Sequence, residues 1–86
     1  MFQVIVLLSS ATTALRLKKS LADKGFSSYV IQTPKHLAIG GCGYSLRTSY
    51  NCLNFLYQEA RRMDVRIKGV YQETSGEKGY EYTRLS

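Results

Sequence analysis

The sequence contains no tryptophan, one proline (Pro34), one histidine (His36) and two cysteines (Cys42 and Cys52), and its 6 acidic residues are outnumbered by 12 basic ones. The absence of tryptophan says little, but the scarcity of histidine and cysteine removes classes of chemistry. A structural zinc site needs four ligands, which His36 and Cys42 do not make, so no metal is expected. His36 has neither a second histidine nor a carboxylate near it in sequence, which leaves it an exposed or charge-tuning role rather than that of a general base. No Walker loop, dinucleotide fingerprint or serine-triad signature occurs, and no cofactor is expected. The opening apolar run, Phe2–Leu8, is too short to cross a bilayer. It lacks a charged leader and is followed by Arg16, Lys18 and Lys19. Neither a membrane partner nor a cleaved signal peptide is therefore expected, and the chain is expected in the cytoplasm. In that compartment the cysteines are expected as thiols rather than as a disulfide.

What is present fits one folded unit. Eighty-six residues with 44% apolar content are expected to form a single domain over 1–86, with a core at 2–73 and residues 74–86 as a C-terminal turn and edge strand or tail. A chain this short leaves much of its surface exposed, so a homodimer is a natural source of extra burial. The net charge of +6 favours acidic partners. The basic residues are nevertheless scattered from Arg16 to Arg84 without a basic arm, which reads as a solvated surface rather than a nucleic-acid site.

Phe2–Leu8 is β-branched and almost continuously apolar, as a covered central strand would be. Ser9 and Ser10 offer an N-cap for a helix over 11–24, and Gly25 offers its C-terminal stop. Ala11, Ala14, Leu15, Leu21 and Ala22 fall on one side of that helix, with Leu17 at the edge and Lys18 intruding. Residues 28–32 read as a second strand, stopped by Thr33-Pro34. Residues 43–47 alternate as a third. Thr48 or Ser49 can cap a second helix reaching Met63, with Cys52, Phe55, Leu56, Ala60 and Met63 on its apolar side, Leu53 at its border and Glu59 intruding. Residues 65–73 read as a fourth strand, 74–79 as a turn and 79–85 as an edge strand. The order suits an α+β, ferredoxin-like βαββαβ sandwich: an antiparallel sheet with two helices on one face and an extra C-terminal edge strand. Side-by-side helices would let Lys18 and Glu59 pair across their seam; the alternative is that each snorkels to water.

The unusual residues gather between Thr33 and Arg47. A cysteine acts as a nucleophile only as thiolate, and three features here would stabilise one. Gly40, Gly41 and Gly43 permit backbone conformations that turn successive amides toward one anion. Lys35, His36 and Arg47 supply positive charge, and no Asp or Glu occurs between Lys24 and Glu59. The same glycines also suit a plain hairpin connection whose cysteine packs as a small apolar residue, and both readings stand at this point. Cys52, on the apolar side of the second helix, reads as an inert core thiol.

Thr33-Pro34-Lys35 followed by Cys42-Gly43-Tyr44-Ser45-Leu46-Arg47 resembles the Thr-Pro-Arg … Cys-Gly-x-Ala/Ser-Leu/Val-Arg/Lys signature of the Se/S carrier protein-like family. Ser9–Leu15 and Gly69-Val70-Tyr71 resemble further parts of it, and the likeness spans roughly residues 2 to 73. Lys35 departs from the usual arginine, keeping the charge but losing the planar fork. The resemblance implies a sulfur-relay role in selenium metabolism, with sulfur or selenium held on Cys42 as a persulfide or selenosulfide. It implies a donor protein of the cysteine desulfurase kind and an acceptor protein, and a carrier or sulfurtransferase-like accessory rather than an ordinary enzyme. Gly41 and Gly43 amides would stabilise the anion and Lys35 and Arg47 would tune the charge, with Thr33, Pro34 and His36 as minor binding residues. The alternative is an ACT-like regulatory module that binds a ligand as a dimer; an RNA-binding sheet comes third, because no aromatic-rich strand of the RNA-recognition type is present.

Overall fold

Strand β1 (Gln3–Leu8) lies at the centre of a five-stranded antiparallel sheet. The computed structural model describes residues 3–35, 37, 43–77 and 79–85. Along the chain β1 is followed by α1 (Ala11–Asp23), β2 (Ser28–Gln32), β3 (Tyr44–Ser49), α2 (Leu53–Arg62), β4 (Gly69–Gly76) and β5 (Gly79–Arg84). The sheet order is β2-β3-β1-β4-β5, and every neighbouring pair is antiparallel. The expectation of an α+β fold with an antiparallel sheet and two helices is met, and the sheet carries five strands.

The two faces of β1 explain its unbroken apolar run. Val4, Val6 and Leu8 join Leu46 of β3, Val70 of β4, Ala14, Leu17 and Leu21 of α1, and Leu53 and Leu56 of α2 in one buried cluster. Both helices therefore cover the same face. Ile5 points the other way, into a smaller cluster with Leu37 and Tyr71, edged by Leu7, Ile31 and Tyr82. Cover on both sides suits the unbroken apolar run from Val4 to Leu8.

Helix α1 begins as its sequence suggests. Ser10 is the N-cap, its hydroxyl accepting from the Thr13 amide at 3.2 Å. It ends in a Schellman turn, with Gly25 at φ 85°, the Gly25 amide donating to Ala22 O at 2.9 Å and the Phe26 amide to Leu21 O at 3.0 Å. The buried face, however, is Ala14, Leu17 and Leu21; Leu15 is 55% exposed and Ala22 is exposed too. Alanines carry little transfer energy, so the two leucines and not the alanine count fix which side turns inward. Lys18 consequently sits in solvent rather than in an apolar stripe.

The expected Lys18–Glu59 pair is replaced by another. With α1 turned this way Ser20 faces α2, and its hydroxyl donates to Glu59. Arg62, one helical turn on, donates from Nε and Nη2 to the same carboxylate at 3.1 and 2.8 Å. Hydrogen bonding from Arg62 first, and from Ser20 second, pulls the Glu59 carboxyl down to about 2 from the ordinary 4.5.

Several element boundaries differ from expectation. β3 extends to Ser49, and a 3-10 turn over Tyr50–Cys52 precedes α2. Thr48 and Ser49 do not cap α2 by side chain, because the Thr48 hydroxyl donates to Ser27 O at 2.8 Å and lies 3.0 Å from Cys52 Sγ. α2 closes in a second Schellman turn with Asp64, at φ 57°, in the usual glycine position and Val65 N–H donating to Ala60 O at 2.8 Å. That turn occupies the residues expected to open β4, which starts only at Gly69 and then runs past Glu73 to Gly76. Among the described residues no helix is long and apolar enough to cross a membrane.

Candidate functional site

The loop between β2 and β3 is pinned at its base. The Thr33 amide donates to Gly43 O at 2.9 Å, and the Thr33 and Ser45 hydroxyls lie 2.7 Å apart. Pro34 ends the β2 ladder, and the Leu37 amide turns back to Pro34 O at 2.9 Å. Leu37 is only 5% exposed, packed with Ile5 and Tyr71 on the sheet face away from the helices. One apolar side chain thus anchors the loop to the sheet, while Lys35 is exposed beside it. Cys42, Gly41, Gly40 and His36 lie outside the described residues.

Gly43, which follows Cys42 in sequence, is described. A methyl group built on Gly43 would lie 3.5 Å from both Leu8 O and Thr33 Oγ1. Gly43 therefore sits against the last residue of β1, where the chain passes through Ser9 and Ser10 into α1. The first turn of α1 carries no acidic residue, so the positive end of its dipole is left without a side-chain counter-charge. The sequence holds this signal only indirectly, since it requires knowing that β1 and β3 pair with Leu8 opposite Tyr44. The separation of 3.5 Å is ordinary contact, so space does not require glycine at position 43.

Arg47 has an acidic partner. Its Nη2 donates to Glu73 Oε2 at 3.0 Å, and its guanidinium carbon stands 5.9 Å from the Tyr80 ring centre. The Tyr82 hydroxyl donates to the same Glu73 oxygen at 3.0 Å. Burial first, and the Glu73 carboxylate second, push the Tyr82 phenol above its ordinary 10.0. The stretch from Lys24 to Glu59 lacks acids, yet this does not leave Arg47 unopposed: Glu73 arrives from β4, across β1. Sequence reasoning missed this cluster because residues 26 positions apart meet through a register that no local pattern encodes.

Cys52 is fully buried and not in a disulfide, with Sγ 3.2 Å from Ser49 O as donor. It reads as a packed thiol donating a weak hydrogen bond. Among the described residues no group of three or more His, Cys, Asp or Glu side chains is placed to hold a metal ion. A family model described as "Putative Se/S carrier protein-like" matches residues 3–72 of the chain. Neither curated proteins nor solved structures give a match.

Proposed function

This chain belongs to the Se/S carrier protein-like family, and from that premise we propose that it carries sulfur or selenium on Cys42 between a donor and an acceptor protein. The observation that carries this reading is the position of Gly43: the residue next to Cys42 is held against Leu8, at the sheet end where α1 begins. The positive end of the α1 dipole follows Leu8 by three residues, and positive charge of that kind favours a thiolate on this loop. The Gly41 and Gly43 amides and the Lys35 ammonium add to the same effect. Arg47, paired with Glu73, holds the sheet face together and tunes the charge around the loop. Thr33 and Pro34 shape the loop base, and His36 tunes charge.

The transfer needs no oxidant and no cofactor. The Cys42 thiolate attacks the terminal sulfur of a donor persulfide; the donor S–S bond breaks, the donor leaves as thiolate, and the new S–S bond leaves a persulfide on Cys42. An acceptor thiolate repeats the step in the other direction, and selenium follows the same path as a selenosulfide. A chain of net charge +6 suits docking on a donor with an acidic surface. The protein working in the cytoplasm, in sulfur or selenium relay, is part of the same reading.

We also read the strand order β2-β3-β1-β4 as ferredoxin-like with β5 added beside β4, and 1–86 as one domain. The shared cluster of both helices on one face supports this. The test is intact mass spectrometry after incubation with cysteine and a purified cysteine desulfurase. The wild type gains one sulfur and Cys42→Ala gains none, although Cys52 remains; equal gain by both proteins would refute the assignment.

A further inference from the structure

The outer edge of β2 is covered by no element among the described residues. The Thr33 amide donates to Gly43 O, and Ser27 O accepts from the Thr48 hydroxyl, so here the odd-numbered residues turn their backbone groups toward β3. Strand alternation then turns the N–H and C=O of Ser28, Val30 and Gln32 outward. Neither proline nor lysine, the usual guards of such an edge, occurs over 28–32. Beside this edge a groove of about 410 Å³ opens against the flank of α1, lined by Lys18 and Ala22 on the helix and by Phe26 and Ser28 below it. Ser28 carries the sharpest signal. It is 6% exposed, yet its hydroxyl has no hydrogen-bond partner. An unpaired buried hydroxyl is a standing cost to the folded chain, which an acceptor supplied from outside removes. Val30 packs against the core on the helix side, so Ser28, two residues earlier in the strand, faces the same side as the exposed Lys18. A residue of an added strand standing opposite Ser28 is then a direct neighbour of that hydroxyl. A carboxylate there accepts from Ser28 and pairs with the Lys18 ammonium. A second copy of the chain fits this edge poorly. Antiparallel β2–β2 pairing about Val30 sets Ser28 against Gln32, supplies no acid, because β2 contains none, and joins two chains of net charge +6.

From this geometry we propose that β2 is a docking edge for an extended, acidic segment of another protein, which extends the sheet by one strand and places a carboxylate between the Ser28 hydroxyl and Lys18. The proposal does not depend on the carrier reading, since it uses no residue of the loop that bears Cys42. The test is an amide NMR titration of the full chain with the capped peptide acetyl-Thr-Thr-Val-Thr-Glu-Thr-amide. Its antiparallel register sets glutamate opposite Ser28 and valine opposite Val30, and the same peptide with lysine in place of glutamate is the control. The glutamate peptide is expected to shift the Ser28, Val30 and Gln32 amides and slow their hydrogen exchange, and the lysine peptide to bind at least about tenfold more weakly. Ser28→Ala removes a hydroxyl that is unpaired in the free chain, so it is expected to leave thermal stability undiminished while weakening glutamate-peptide binding about tenfold. Lys18→Glu, at an exposed position, is expected to weaken it by at least as much, with far-UV circular dichroism to follow the fold. No binding, equal binding of the two peptides, shifts confined to other surfaces, or binding that neither substitution changes overturns the proposal. So does protection of the β2 amides that rises with protein concentration in the absence of peptide, which would assign the edge to a second copy.

Discussion

Breaking the Arg47–Glu73 pair from its two ends is expected to give unequal costs. The Glu73 side chain is 4% accessible and that of Arg47 is 31% accessible. Arg47→Met strands a carboxylate that water barely reaches, leaving it only the Tyr82 hydroxyl, and such an uncompensated buried charge costs roughly 3 kcal/mol. Glu73→Gln strands instead a guanidinium that is one-third exposed and stacked on Tyr80, so water and the ring offset part of the loss and the cost is about 1.5 kcal/mol. Tyr82→Phe removes one hydrogen bond to a carboxylate and costs about 1.5 kcal/mol. In a domain of this size each kcal/mol lowers Tm by roughly 4–8 °C. Urea unfolding followed by far-UV circular dichroism measures all three variants, and the Arg47→Met/Glu73→Gln double variant gives the coupling. The double variant is expected to be more stable than Arg47→Met alone, because it removes the orphaned charge. If Glu73→Gln proves as costly as Arg47→Met, the asymmetry of burial is not what sets the energetics and the reasoning fails.

The two Schellman turns give opposite expectations. Gly25→Ala forces a side chain to φ 85° with nothing within 4 Å to contact, so it destabilises by about 1 kcal/mol through backbone strain alone, whereas Asp64→Gly relieves φ 57° and stabilises by up to about 1 kcal/mol; thermal unfolding of both variants checks the signs. Ser10→Ala removes a working cap and costs about 1 kcal/mol, while Ser49→Ala, which makes no cap bond, leaves stability nearly unchanged in the same assay. Glu59 holds its charge down to about 2 in the folded chain against 4.5 in the ordinary carboxyl, so its contribution is present above pH 4.5 and fades as pH falls toward 2; Glu59→Gln flattens that part of the Tm–pH curve. At the other extreme the folded chain holds the Tyr82 proton beyond pH 10, so stability falls as pH rises above about 10, and Tyr82→Phe weakens that fall.

Local rules account for much of the fold. The Ser10 cap, the Gly25 stop, the double-sided burial of β1 and the limits of β2 all follow from short-range chemistry that one stretch of sequence contains. The orientation of α1 does not, because its inward face is chosen by Leu17 and Leu21 fitting against the sheet and by Ser20 meeting Glu59 on a helix 39 residues away. The start of β4 was equally hidden: Asp64 in a left-handed conformation closes α2 without the glycine that would have announced it. At the site, Thr33-Pro34 and the glycines marked the loop, but only the register of β1 with β3 places Gly43 beside Leu8 and the start of α1. Glu73 was invisible as the partner of Arg47 for the same reason, since register is a property of paired strands.

The most direct measurement locates the carried atom. The protein is loaded from a cysteine desulfurase with cysteine, trapped with an alkylating agent, digested and mapped by tandem mass spectrometry before and after a chase with excess acceptor thiol. The sulfane sulfur is expected on Cys42 alone, Cys52 remaining unmodified in the native protein, and it should appear as acceptor persulfide after the chase. Sulfur found on Cys52, or held on Cys42 without release to any thiol, would contradict the account of this chain as a carrier.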